Sequence, residues 1–266
     1  KVKKIVDIEA FPIINKNIFI GHPAEEYLCL DKYRPSYRNH TSGSTGEPFS
    51  FFSTRDWRSQ YHTFLTLRFL FWKNFSMKKV RATPVANLDI NNNTGTIYGS
   101  RKEFSAHYIE SNPEKILKAM FNYNPIIIDS FPSFLIDYTR MIIKNPHLKN
   151  PALKYVISKG ENLTPSHREF IEENLQCEVY DRYGMEEFGV IGMECKYHNG
   201  FHINNESFIL EIIDDFGKPT PIGTVGRIII TDLRNYTMSF IRYNTGDYGY
   251  FLEQPYPCKL SNYKLI

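Results

Sequence analysis

Between residues 49 and 189 the chain alternates short apolar runs with stretches whose apolar positions recur every three or four residues. Phe49-Ser50-Phe51-Phe52 reads as a strand. Ser53, three residues before Asp56, then makes a capping-box start for a helix through Trp57, Tyr61, Phe64 and Leu65 to about Phe75. Val85-Ala86 is strand-like, and Ser111-Asn112-Pro113 opens a helix with Ile116, Leu117, Met120 and Phe121 on one face, closed by Tyr123-Asn124-Pro125. Ile126-Ile127-Ile128 follows as a buried strand, and Ser130-Phe131-Pro132-Ser133 turns into a helix from Phe134 to about Lys144. The unit repeats as a strand at Tyr155-Val156-Ile157, a turn at Lys159 to Asn162, a Thr164-Pro165 cap, a helix to Leu175 and a strand at Glu178-Val179-Tyr180.

This alternation predicts an α/β fold, a mainly parallel sheet with flanking helices, in which ligands gather beyond the carboxyl ends of the strands. Two loops belong there: Gly160-Glu161, and Asp181-Arg182-Tyr183-Gly184-Met185-Glu186-Glu187. Beyond Gly189 the texture turns to short strands at Phe208 to Ile213, Val225 to Thr231 and Met238 to Tyr243, with Asp214-Asp215-Phe216-Gly217 as a hairpin turn. The expected organisation is therefore residues 1–189 as an α/β part and 190–266 as a β-rich lobe of the same core. Residues 1–40, broken by Pro12, Gly21-His22-Pro23 and Pro35, read as connecting structure.

The run Thr41-Ser42-Gly43-Ser44-Thr45-Gly46-Glu47-Pro48 stands before the first of these strands. Gly43 and Gly46 reach backbone angles closed to other residues, so main-chain N–H groups can converge on phosphate oxygens, and Thr41, Ser42, Ser44 and Thr45 add small hydroxyl donors. An exposed turn has the same composition, so the run alone leaves both readings open. It is not a Walker loop, because the glycines are three apart, no lysine follows, and a strand rather than a helix comes next.

Composition narrows the partners. The chain has 266 residues, 42% of them apolar, and 32 Lys and Arg against 29 Asp and Glu. That is enough for a sizeable core and too even a balance for nucleic acid or an anionic membrane to be the main partner. The most apolar stretch, Phe64 to Trp72, is about half a bilayer span and contains Arg68. With no signal peptide legible and four scattered cysteines, at 29, 177, 195 and 258, the chain reads as soluble, from a reducing compartment, hence cytoplasmic. Cys195, His198, His202 and Cys258 supply two thiols and two imidazoles, a donor set suited to structural Zn²⁺, with His198 the weakest member; packing or surface positions are the competing reading.

Taken in order, the Thr41 loop, Gly160-Glu161, Tyr183-Gly184-Met185-Glu186-Glu187, Gly223-Thr224-Val225-Gly226 and Arg242-Tyr243-Asn244-Thr245-Gly246-Asp247 resemble the signature elements of the adenylate-forming enzymes, within the branch of phenylacetate-coenzyme A ligase-like and capsular polysaccharide ligase-like proteins. The resemblance implies ATP-dependent activation of a small carboxylic acid to an acyl-adenylate, followed by thioester formation with coenzyme A. It implies that the Thr41–Gly46 loop, Thr45 included, grips the ATP phosphates and that Glu187 holds Mg²⁺. Tyr183 would stack on adenine, Asp181 would accept from its amino group, Gly160, Glu161 and Gly184 would border that pocket, and Asp247 would bind the ribose hydroxyls.

The sequence departs from the family in two places. Glu186 stands where Ser or Thr is usual, and Asn91-Asn92-Asn93 replaces a glycine-rich stretch that helps line the acyl pocket. Relatives also carry a C-terminal domain of about a hundred residues, an ordinary domain size. No counterpart is found before Ile266, so the chain reads as a fragment whose partner domain acts in cis or in trans, with an oligomer also open. Transfer of the acyl group to an amine or carrier protein, or a non-catalytic nucleotide-binding remnant, are the alternative functions.

Overall fold

The computed structural model describes residues 5–29, 35, 37–41, 48–54, 82–86, 96–98, 101–105, 112–253, 258 and 264–265. The expected helix beyond Thr54, the Asn91–Gly95 stretch and residues 42–47 of the Thr41–Pro48 run lie outside these residues, while Ser53, expected to start that helix, ends a strand. By contacts the chain groups into two compact units, Leu67–Tyr183, and Lys1–Thr66 with Gly184–Ile266.

The segment nearest the N-terminus contributes a hairpin of β1 (Tyr37–His40) and β2 (Ser50–Ser53), paired from Tyr37↔Ser53 to His40↔Ser50. The unit of residues 67–183 then builds on β3 (Ala82–Ala86), β4 (Thr96–Tyr98), β5 (Arg101–Ser105), α1 (Pro113–Tyr123), β6 (Ile127–Ser130), α2 (Pro132–Lys144), β7 (Tyr155–Lys159), α3 (Pro165–Leu175) and β8 (Glu178–Met185), whose last two residues fall in the other unit. Its strands run in the order β8-β7-β6-β3-β5-β4, parallel except for β4 against β5. Parallel neighbours require long crossovers, and α2 and α3 supply them.

Local chemistry sets these helix ends. Each has proline in its first turn, where the missing N–H costs nothing, and Thr164 Oγ1 accepts from His167 N at 3.2 Å to cap α3. Ile116, Leu117 and Met120 of α1, Leu135, Tyr138 and Ile142 of α2, and Ile171 and Leu175 of α3 pack with Ile128, Val156 and Val179 of the sheet. In the register Ile128↔Val156↔Val179 these three strand residues share one face, and that face is the helix-covered one.

In the other unit, β9 (Gly189–Glu194) pairs antiparallel with β10 (Phe201–Ile203), and β11 (Phe208–Ile213), β12 (Gly226–Asp232) and β13 (Tyr243–Gly249) form an antiparallel meander; β14 (Lys264–Leu265) flanks β10. The core of this unit is aromatic. Phe188 meets Phe240 and Tyr243 at 5.5 Å between ring centres, Phe240 meets Tyr243 at 5.4 Å, and Phe19 stacks on Phe49 at 5.1 Å. Such pairs add about 0.5–1.5 kcal/mol each beyond burial. Phe19 and Phe240 are also in edge contact at 5.5 Å, so residues near the two ends of the chain share one core.

Two expected elements differ. Met238 to Tyr243 is not a strand: Met238, Phe240 and Tyr243 are buried as an aromatic and thioether plug, and pairing begins only at Tyr243. Asp181 to Glu187 is not wholly a loop, because Arg182 still pairs with Lys159 and β8 continues to Met185, leaving Glu186 to Phe188 as the turn.

Candidate functional site

The stem of the Thr41 loop is closed by two bonds, Thr41 N to Phe49 O at 3.1 Å and Phe49 N to Thr41 Oγ1 at 3.1 Å. Phe49 is buried, so the residue after the loop's proline is spent on the core rather than on a ligand. Ser42, Gly43, Ser44, Thr45 and Gly46 belong to the tip outside the described residues.

Glu187 sits in the turn between β8 and β9, which is tight for a structural reason. A Cβ on Gly184 would lie 2.4 Å from the Gly189 carbonyl oxygen, so only glycine lets the two strands pass this closely. The turn tucks the Glu187 side chain inward: the residue is 6% exposed and its Oε1 accepts from the Tyr243 hydroxyl at 3.1 Å. Burial pushes the Glu187 carboxyl above the ordinary range, its own backbone N–H and the Tyr243 hydroxyl oppose that, and the nearby charges of Glu186 and Asp247 add to it. Tyr243 is likewise raised, by burial first and then by Glu187. The Glu187 carboxylate is a hard oxygen donor of the kind Mg²⁺ takes one or two of from a protein, the remainder coming from phosphates and water.

Asp247 reaches this neighbourhood through a bulge. Arg227 pairs with Tyr248 and Ile229 with Asn244, so three residues of β13 oppose one of β12. Gly246 takes φ +86°, Thr245 Oγ1 donates to Ile228 O at 3.0 Å, and Asp247 N donates to Thr245 Oγ1 at 3.1 Å. The bulge leaves Asp247 exposed on a fixed backbone. Arg242, just before it, is structural: its guanidinium clasps Glu211 at 2.9 and 3.1 Å and donates to the carbonyls of Glu9 and Phe11.

In the other unit, Gly160 follows β7 with φ +72°, and a Cβ there would come within 2.9 Å of the Phe131 ring. Glu161 accepts from Ser133 N at 3.0 Å and Ser133 Oγ at 2.8 Å, so its carboxylate caps the positive end of α2. Asp181 Oδ1 accepts from Arg182 N at 2.9 Å, and Asp181 and Tyr183 are both half-buried on β8.

The cysteine and histidine set comes together in part. Sulfur or nitrogen atoms of Cys195, His202 and Cys258 lie within 4.8 Å of one another, with Cys258 Sγ 3.1 Å from His202 Nε2. Cys195 and His202 are buried, and the mixed thiol and imidazole set fits Zn²⁺. His198 stands outside the group and bonds Glu194 Oε2 through Nδ1 at 3.0 Å. The Cys177 thiol is pushed up to about 12, chiefly by burial, and is therefore inert as a thiolate.

Sequence reasoning passed over Tyr243 as the partner of Glu187, and it passed over an ion cluster at the ends of β6, β7 and β8. There Asp129 Oδ1 meets Lys159 Nζ at 3.0 Å, and Arg182 Nη1 and Nη2 reach the two Asp129 oxygens at 2.9 and 3.3 Å. The legible signal was a charged residue within two positions of the end of each buried apolar run.

Among the described residues, no helix is long and apolar enough to cross a membrane. No protein-family model matches the chain. The phenylacetate-coenzyme A ligase of Thermus thermophilus is 28% identical over 152 residues, 54% of this chain and 34% of that protein. The phenylacetate-coenzyme A ligase of Pseudomonas putida is 30% identical over 141 residues, 50% of this chain and 32% of that protein. The chain thus matches about a third of the length of these relatives. Among solved structures, an open conformation of 2-hydroxyisobutyryl-CoA ligase in complex with 2-HIB-AMP and CoA superposes over 99% of this chain and 60% of its own, with a TM-score of 0.78 at 20% identity. With its mixed sheet, flanking helices and β-rich part, the chain has the fold of the adenylate-forming enzymes.

Proposed function

We propose that the protein activates a small carboxylic acid with ATP and passes the acyl group to coenzyme A. An oxygen of the acid attacks the α-phosphorus of ATP, the bond to pyrophosphate breaks, and the thiol sulfur of coenzyme A then attacks the acyl carbon and expels AMP. The observation that carries the reading is Glu187: a buried carboxyl with a raised pKa, held by Tyr243 and under the charges of Glu186 and Asp247, keeps its proton unless a cation joins it. Bound there, Mg²⁺ would offset charge on the phosphates.

The chain's own residues do the positioning. The Thr41–Gly46 loop, with Thr45, holds the β- and γ-phosphates on a hairpin whose stem is closed by Thr41 and Phe49. Tyr183 stacks on adenine, Asp181 accepts from its amino group, and Asp247 takes the ribose hydroxyls from its bulge. Gly160 and Gly184 keep the backbone low beside the nucleotide. Glu161 acts on it indirectly, by fixing the Gly160 turn to the start of α2. Alignment of reactants and placement of charge carry such a reaction, which needs no covalent nucleophile.

The test is ATP–pyrophosphate exchange with a panel of aryl and aliphatic acids. Exchange that depends on Mg²⁺ and is lost in Glu187→Gln is expected; Mg²⁺-dependent exchange that survives in Glu187→Gln contradicts the assignment. Cys195, His202 and Cys258 are proposed to hold a structural Zn²⁺, fastening β10 to the chain around residue 258. Zinc measured in the purified protein at one ion per chain, and a lower melting temperature on chelation or in Cys195→Ser, are expected. Metal-free protein with unchanged melting contradicts it.

A further inference from the structure

On the face of the β6-β7-β8 sheet opposite the helices lie Asp129, Lys159 and Arg182. The register Asp129↔Ile157, Lys159↔Arg182 sets them two residues beyond Ile127, Ile157 and Tyr180, out of phase with the helix-facing Ile128, Val156 and Val179. All three strands are parallel, so the cluster sits at their carboxyl ends, the edge at which parallel sheets bind ligands. The side chains are 9% (Asp129), 22% (Lys159) and 13% (Arg182) exposed.

Three ions this far from water are expensive to keep, and the described members do not cancel: there are two cations and one carboxylate. Both oxygens of Asp129 are already engaged, Oδ1 by Lys159 and Arg182 and Oδ2 by Arg182, so the cluster is poorly suited to a cationic ligand. The Lys159 ammonium gives one of its three N–H groups to Asp129 and lies 5.7 Å above the Phe131 ring, and it is the most exposed of the three. In sequence, Lys159 precedes Gly160, and Arg182 stands between Asp181 and Tyr183. The cations therefore flank positions assigned above to the nucleotide.

We infer that Lys159, backed by the Arg182–Asp129 pair, binds a second anionic group on the acid that is activated, so that the preferred substrate is a dicarboxylate rather than a plain aryl or alkyl monocarboxylate. The inference rests on the acid-activating reading. Asp129 holds the Arg182 fork and one Lys159 proton in place, so the cluster is oriented before the ligand arrives, and a terminal carboxylate accepts from the remaining Lys159 donors.

The test is pyrophosphate exchange with matched pairs of acids, succinate to suberate against butyrate to octanoate. A dicarboxylate preferred over its matched monocarboxylate by about tenfold or more in kcat/KM is expected, since a site built around a buried charge rejects an analogue that leaves it unpaired. The ratio should collapse towards one in Lys159→Met and persist in Lys159→Arg. Exchange that favours monocarboxylates, or a preference untouched by Lys159→Met, overturns this inference and leaves acid activation standing. No exchange with any acid removes both.

Discussion

Two buried carboxylates, one in each unit, are kept by opposite means. Asp129 is 6% exposed and is gripped by Lys159 and Arg182. Glu187 is equally buried, but its neighbours are the Tyr243 hydroxyl and the charges of Glu186 and Asp247, and its carboxyl is held above the ordinary range. The first site sets two cations against one carboxylate, whereas the second feels the charge of two further carboxylates. The same residue chemistry at the same burial is thus met by cations in one place and by a hydroxyl and like charge in the other, which is why we propose an anion site at the first and a cation site at the second.

Neutralising each carboxylate should separate the two most sharply. Asp129→Asn leaves the half-buried Lys159 and Arg182 without their buried partner, and a loss of about 1–3 kcal/mol in denaturant unfolding is expected. An unchanged midpoint would remove the contrast. Glu187→Gln should behave in the opposite way: exchange activity falls on the order of 10²–10³-fold, the scale of losing one electrostatic anchor of a transition state, while the ligand-free protein melts at a slightly higher temperature because a buried charge has gone. Lower melting in Glu187→Gln would mean that the carboxylate is structural.

The pH dependence follows from the same shift. A carboxyl whose native pKa lies above its unfolded value binds its proton more tightly when folded, so that part of the stability is present at low pH and is lost as pH rises from the ordinary carboxylate range through the raised native value. Melting temperature against pH should show this loss in the wild type and not in Glu187→Gln. Tyr243→Phe gives the smallest effect, about 0.5–1.5 kcal/mol for the lost hydrogen bond, and it should move the Glu187 titration still higher, because the hydroxyl now favours the ionised form.

How far the sequence revealed these two sites differs for a physical reason. Glu187 lies in a contiguous motif, and its burial follows from Gly184 and the short turn, both local features. The Asp129 cluster draws one residue from each of three strands separated by two helices, and nothing local ties Asp129 to Arg182 until the parallel register is known. The helices α1, α2 and α3 were legible through their proline starts and apolar faces, and Thr164 caps as its position suggested. The stretch Met238 to Tyr243 misled because residues buried on every side look like a strand, whereas here they fill an aromatic core. The Thr-Gly-Asp run was legible as a motif, but not that Gly246 would mark a bulge within β13, since a bulge depends on the register with β12.

On the proposal above, Glu187 is kept buried and proton-binding so that a divalent cation on ATP can take the proton's place. Calorimetric binding of Mg²⁺·ATP to the wild type and to Glu187→Gln across the carboxylate-to-neutral pH range tests it directly. Affinity that strengthens with pH in the wild type, with proton release on binding, and weak pH-independent affinity in Glu187→Gln are expected. Equal affinity and equal proton release in the two proteins would contradict it.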